Sequence, residues 1–163
     1  MNRGFTLVET VVAIAILVVA VTGPLAVVSQ SLSSSNYARE QVTAFYLAQE
    51  GLEVVRSIRD DNSLANVPWL SGIDQCLNLA CLAKGEKRGN EALEVCASDP
   101  CSALRYNQTA HIYTYDIGDP TPYTRALTVK TVNDREVQVS STMSWQAGAL
   151  RRTFTLQEHL FNW

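Results

Sequence analysis

The four cysteines are the first candidates for chemistry. Cys76/Cys81 and Cys96/Cys101 form two pairs of identical spacing, with four residues between the members of each. Four thiolates can hold zinc tetrahedrally, but zinc ribbons usually place two residues between paired cysteines. An even count in an oxidising compartment reads instead as two disulfides, and four cysteines allow three pairings. Local bridges would close two small loops, and crossed bridges would tie both loops together. His111 and His159 are the second candidates. No nucleophile motif, phosphate loop or metal-spaced histidine pair accompanies them. His159 falls on the polar side of an alternating run, where a structural histidine is expected. The sequence therefore predicts no enzyme, no catalytic residue, no cofactor, no bound metal and no small-molecule substrate. The third candidate is Glu9, at the front of a run that carries no charge from Val11 to Val28. A charged side chain near the bilayer centre costs about 2.5–3.5 kcal/mol on insertion scales, and such residues usually have a partner.

The element that must position Glu9 is a membrane helix. Phe5 to Val28 spans 24 residues, about 36 Å of helix and enough for a hydrocarbon core of about 30 Å. A secretory signal would have a shorter apolar core and a small-residue cleavage site after it; Ser29 to Ser35 supplies no convincing one. Arg3 keeps the N-terminus cytoplasmic by the positive-inside tendency, which places the rest outside. The paired cysteines point independently to that oxidising side. Gly23-Pro24 interrupts the run and predicts a kink or a locally unwound turn near Val19 to Pro24.

After the polar Ser29–Ser35 stretch the helical pattern resumes. Ala38, Val42, Phe45, Ala48, Leu52, Val55 and Ile58 recur at steps of four and three, which is one helical face. Arg39, Glu40, Glu50, Glu53, Arg56 and Asp60 lie mostly off it. The two pieces predict one continuous helix from Phe5 to about Asp61. Gly51 within it costs up to about 1 kcal/mol relative to alanine, and either admits a close neighbour or is simply tolerated.

Gly4-Phe5-Thr6-Leu7-Val8-Glu9, after a very short leader and before a long apolar run, resembles the type IV prepilin signature. YLAQEGLEVVRSIRD and the ending LQEHLFNW resemble, more loosely, minor pilins of the pilus-modification type. The resemblance implies that a prepilin peptidase cuts between Gly4 and Phe5 and methylates the new Phe5 amine. It implies also that the Glu9 carboxylate pairs with the N-terminal amine of a neighbouring subunit. Cleavage would thus create the cation that Glu9 lacks, one helical turn away. Pro24 lies slightly nearer the N-terminus than the helix-breaking proline typical of major pilins.

Asn62 to Ala110 contains Pro68, Gly72, Gly85, Gly89 and Pro100, and reads as loops; only Asn90 to Glu94 suggests a short helical turn. Lys84-Gly85-Glu86-Lys87-Arg88-Gly89 reads as a solvated basic loop, and the Asn107-Gln108-Thr109 sequon as a chance match. From His111 the pattern becomes strands. His111 to Ile117 is followed by a turn at Gly118 to Pro122, and Arg125 to Val132 alternates with Leu127, Val129 and Thr131 on one face. After a turn at Asn133-Asp134, Val137, Val139, Ser141, Met143 and Trp145 share a face. After another at Gln146 to Gly148, so do Leu150, Phe154, Leu156 and Leu160. Alternation of this kind means an antiparallel sheet with one face buried, and the helical stripe is its natural cover.

The expected architecture is α+β and pilin-like: a long N-terminal helix packed on an antiparallel sheet of about four strands. Residues 1–4 are a cleaved leader, 5–28 a transmembrane or filament-core helix, and 29–61 its amphipathic continuation. Residues 62–110 are a loop-rich region with the two cysteine pairs, and 111–163 are the sheet of the head. Length, 163 residues, suits one domain plus an appendage. A net charge of −3 argues against nucleic-acid binding by bulk charge. The expected function is a minor subunit of a type IV pilus-like filament that serves assembly, adhesion, motility or DNA uptake. Its partners are the prepilin peptidase, other pilin subunits through the N-terminal helix, and inner-membrane lipid before assembly; afterwards the head stands in a cell-surface filament. A pseudopilin of a type II secretion system is one alternative, and a membrane-anchored surface-binding protein without a filament is another.

Overall fold

The computed structural model describes residues 6–148 and 150–163. The chain divides into two compact units, Met1–Glu40 and Gln41–Trp163. Helix α1, Leu7–Leu64, contributes to both. In the first unit every described residue up to Asn36 is exposed and helical from Leu7 onward. The helix stays α-helical through Gly23-Pro24, so the expected unwound turn is not there. Proline removes a single donor, and the flanking turns carry the segment past that gap. The neighbouring Thr22 hydroxyl donates back to the Val18 carbonyl at 2.9 Å.

The second unit is the head. Strands β1 Cys81–Ala83, β2 Leu93–Val95, β3 Ala103–Asn107, β4 Ile112–Thr114, β5 Asp119–Asn133, β6 Glu136–Ala147 and β7 Leu150–Phe161 make one antiparallel sheet. Short 3-10 turns precede β1, at Asp74–Cys76, and β2, at Gly89–Ala92. The sheet has seven strands rather than about four, and it begins at Cys81 rather than His111. Long β5 explains this. Its first half pairs with β3, its middle touches β1 through Cys81↔Leu127, and its other edge pairs with β6 from Thr124 onward. β1 and β2 have three residues each, too few for a period of two to show, and β3, with five, also falls in the stretch that reads as loops; β4 lies within the expected strand His111 to Ile117. Asp119 to Pro122 also reads as a turn but opens β5; prolines are tolerated at the first residues of a strand.

The buried face of β6 runs Val137, Val139, Ser141, Met143 and Trp145, as the alternation requires. α1 covers it. Leu52, Val55 and Ile58 pack with Leu127, Val129, Val137, Val139 and Leu160. Ala44, Leu47 and Ala48 pack with Leu104, Tyr123, Met143 and Trp145. The buried stripe starts at Ala44, whereas Ala38, Val42 and Phe45 are exposed. Phe45 only borders the sheet, its ring 6.0 Å from that of Phe154, and Leu47 and Gly51 complete the covered face. On β5, Thr131 is exposed beside an irregularity in the register between Thr131 and Asn133. Leu150, at the hairpin end of β7, is exposed as well.

Candidate assembly site

Two places in the chain carry charges that the fold must answer. The first is Glu9, in the first turn of α1. Its amide N–H donates to Thr6 Oγ1 at 3.3 Å, and the Thr10 N–H donates to the Thr6 carbonyl at 3.2 Å. Thr6 is thus the N-cap, and Thr6-Leu7-Val8-Glu9 has the spacing of a capping box. A carboxylate in the first turn also meets the positive end of the helix dipole, worth about 0.3–1 kcal/mol at an exposed site. That is less than the cost of placing a charge at the bilayer centre, so the dipole alone would not offset burial there. Gly4 and Phe5, where the expected cleavage and the expected amine fall, lie outside the described residues. Leu7, Val8, Val11, Val12, Ile14, Ile16 and Leu17 present an unbroken apolar surface, and the helix contains a window of mean hydropathy 2.8. Surface of this composition is covered by lipid or by other helices.

The second place is in the head, and sequence reasoning missed it. Arg125 is fully buried. Its Nη1 donates to the Leu47 carbonyl at 2.7 Å and to Glu50 Oε2 at 2.9 Å. Its Nη2 donates to the Ala83 carbonyl, and its Nε to the Tyr115 hydroxyl at 3.3 Å. One guanidinium therefore ties α1, β1, β5 and the segment after β4 together. Burial works to lower its pKa, but Tyr115 and Glu50 outweigh that and hold the group above the usual arginine range. Gly51 is required beside it. A Cβ there would stand 2.9 Å from Ser141 Oγ and 3.1 Å from Arg125 Cδ. The glycine admits close neighbours, the Ser141 hydroxyl and the arginine stem. A signal was present: Arg125 is in phase with Leu127 and Val129, which makes it an inward-facing charge. A second tie lies at β7, where Arg56 Nη2 donates to Glu158 Oε1 at 2.6 Å. That contact raises the Arg56 pKa.

The cysteines are joined locally, Cys76 to Cys81 and Cys96 to Cys101, so no thiolate among them remains for zinc. The first bridge is fully buried and fastens the 3-10 turn to β1. The second closes the segment between β2 and β3, with Cys101 buried and Cys96 half-buried. Each closes a loop short enough that chain entropy gives about 2 kcal/mol. Replacing Cys76 and Cys81 together by alanine is expected to cost more, about 3–5 kcal/mol, because buried core volume is lost as well. Replacing Cys96 and Cys101 by serine is expected to cost about 2 kcal/mol. Urea midpoints of the two double variants check the order.

The comparisons agree with this arrangement. Residues 1–23 match the family described as the prokaryotic N-terminal methylation motif. No curated protein matches the chain, and no solved structure does. The motif at the front of a long apolar helix makes the protein type IV prepilin-like. With an α+β head and two disulfides beyond that helix, it is a membrane-anchored protein of the pilin or pseudopilin kind.

Proposed function

We propose that the chain is a minor subunit of a type IV pilus-like filament, matured by a prepilin peptidase and built in through α1. The observation that supports this most is Glu9 directly behind the Gly4-Phe5 junction, in the first turn of a helix whose apolar side chains are exposed. Before assembly, lipid covers that surface, with the N-terminus cytoplasmic because the leader holds Arg3. In a filament, the helices of other subunits replace the lipid. Apolar packing supplies most of the stability, and the pairing of Glu9 with a Phe5 amine sets the axial stagger. The head remains outside the inner membrane, where disulfides persist. It contributes by packing and binding rather than by catalysis.

Intact-mass measurement of the mature chain tests this reading. The expected product lacks residues 1–4, carries one methyl group on Phe5 and has both disulfides closed. Gly4→Leu is expected to leave the uncut chain in the membrane. A mature protein that keeps its leader, or an unmethylated Phe5, would overturn the proposal. Subunit counts in sheared fibres separate a minor from a major component.

A further inference from the structure

We propose that β7 is a docking edge for a second copy of this chain, pairing with its own counterpart in antiparallel fashion about Thr155. Among the described residues β7 pairs with β6 alone. Its twelve residues carry no proline, and their register against β6 runs unbroken from Glu136↔Phe161 to Ala147↔Leu150. A long, regular, open edge is a template for another strand, and natural proteins usually blunt such edges. The remaining outer strands, β2 and β4, are three residues long.

The sequence of β7 selects the occupant. With Thr155 opposite Thr155 of the second copy, Arg152 stands opposite Glu158 and Phe154 opposite Leu156. Thr153 stands opposite Gln157. All these positions lie on the correct faces, because the period of two is kept on both sides of the centre. The twofold axis repeats each pair. Opposite charges and apolar pairs directly across a strand stabilise it, and like charges destabilise it. Arg151 meets His159 of the second copy, which its own Glu136 already holds at 2.7 Å. Arg152 facing Glu158, which Arg56 already holds at 2.6 Å, makes self-pairing charge-complementary on both sides of the centre, and an unrelated strand has no acid placed opposite Arg152 by its sequence. Phe154 and Leu156 are only half-buried, and an added strand would cover them. The Phe161 carbonyl already accepts Arg59 Nη1 at 3.2 Å, which places the limit of pairing near His159.

The direction of the pair has a consequence. Phe45 meets Phe154, Arg56 meets Glu158 and Arg59 meets Phe161, so the head segment of α1 runs parallel to β7. Antiparallel β7 strands then make the two head segments of α1 antiparallel. Subunits along one filament share a direction, so the contact joins heads of separate filaments. That setting rests on the proposed filament role; the pairing itself rests on the head alone.

The test uses the full chain in mild detergent, where no filament is needed. All four native cysteines are in disulfides, so Thr155→Cys supplies a single free thiol. Directly opposed residues lie about 4.5–5.5 Å apart, within disulfide reach, and oxidation is expected to give a covalent dimer. Thr153→Cys places its two thiols four positions apart, about 13 Å, and is expected to stay monomeric. Arg152→Glu added to Thr155→Cys is expected to lower the dimer yield roughly tenfold, since two like-charged pairs replace two opposite ones. Circular dichroism confirms that each variant is folded. Absence of a covalent dimer from Thr155→Cys, equal yield from Thr153→Cys, or indifference to Arg152→Glu would overturn the proposal. So would cross-linking of the Thr155→Cys variant in cells to a different chain and not to itself.

Discussion

Arg125→Ala is expected to destabilise the head by about 3–5 kcal/mol, from the cavity it leaves and the buried hydrogen bonds it removes. Stability of an ordinary domain is about 5–15 kcal/mol, so the loss is a large share of the total. Three terms add. The side chain is fully buried, and its removal leaves a cavity. The Ala83 carbonyl loses its guanidinium donor and pays a desolvation penalty. Glu50 loses its cation but can turn to water, because its side chain is 37% exposed. Glu50→Gln is therefore expected to cost much less, about 1 kcal/mol, since Arg125 keeps both carbonyls and Tyr115. Arg125→Lys falls between, because one ammonium cannot reach three elements from a single point. The guanidinium is held above its usual range, so its contribution is present at all ordinary pH and is lost only as pH rises past that range. Urea unfolding followed by tryptophan fluorescence of the full chain in detergent gives the midpoints. An Arg125→Ala midpoint equal to that of the parent would sink this account of the head.

Why the sequence concealed that clamp is a question of range. The helix, its apolar stripe and the long strands β5 to β7 were legible because each is a local period repeated many times. Val137 to Trp145 shows it best, five inward positions with none missed. The front end was legible for a different reason, since six adjacent residues carry it. Three-residue strands have no period to read, so β1 and β2 were hidden, together with the five-residue β3, inside a region that looked like loops; β4 falls within His111 to Ile117, which reads as a strand. Pairing of the cysteines was equally hidden, because spacing is the same for every connectivity and the fold decides. Arg125 opens the alternating stretch, and apart from its phase with Leu127 and Val129 nothing local marks it as buried. Its partners come from residues 47, 50, 83 and 115, separate stretches that only the folded sheet brings to one point. The half-expected role of Gly51 belongs with it: the space left by the missing Cβ is bordered by Ser141 and Arg125, both far along the chain.

Glu9→Ala is expected to spare membrane insertion and cleavage while removing the subunit from filaments. The substitution takes a charge out of an apolar helix, so insertion becomes easier rather than harder. Cleavage depends on the Gly4-Phe5 junction, which the change leaves intact. Local helix formation loses little, because the N-cap hydrogen bond runs from the Glu9 backbone N–H to Thr6 Oγ1 and alanine keeps that donor. What is lost is the anion that answers a mature Phe5 amine. A buried cation without its partner costs about 3–5 kcal/mol, which lowers incorporation by roughly two to nearly four orders of magnitude. Glu9→Gln is expected to behave nearly as badly, since it keeps the shape and drops the charge; Glu9→Asp is expected to recover part of the incorporation. This ordering separates an ion pair from a capping role, for which aspartate, glutamine and alanine would differ by at most about 1 kcal/mol. Quantifying each variant in the membrane and in sheared fibres reads both halves of the prediction. Normal incorporation of Glu9→Ala would leave the carboxylate as a helix cap, and the stagger of subunits would have to be set by apolar packing alone.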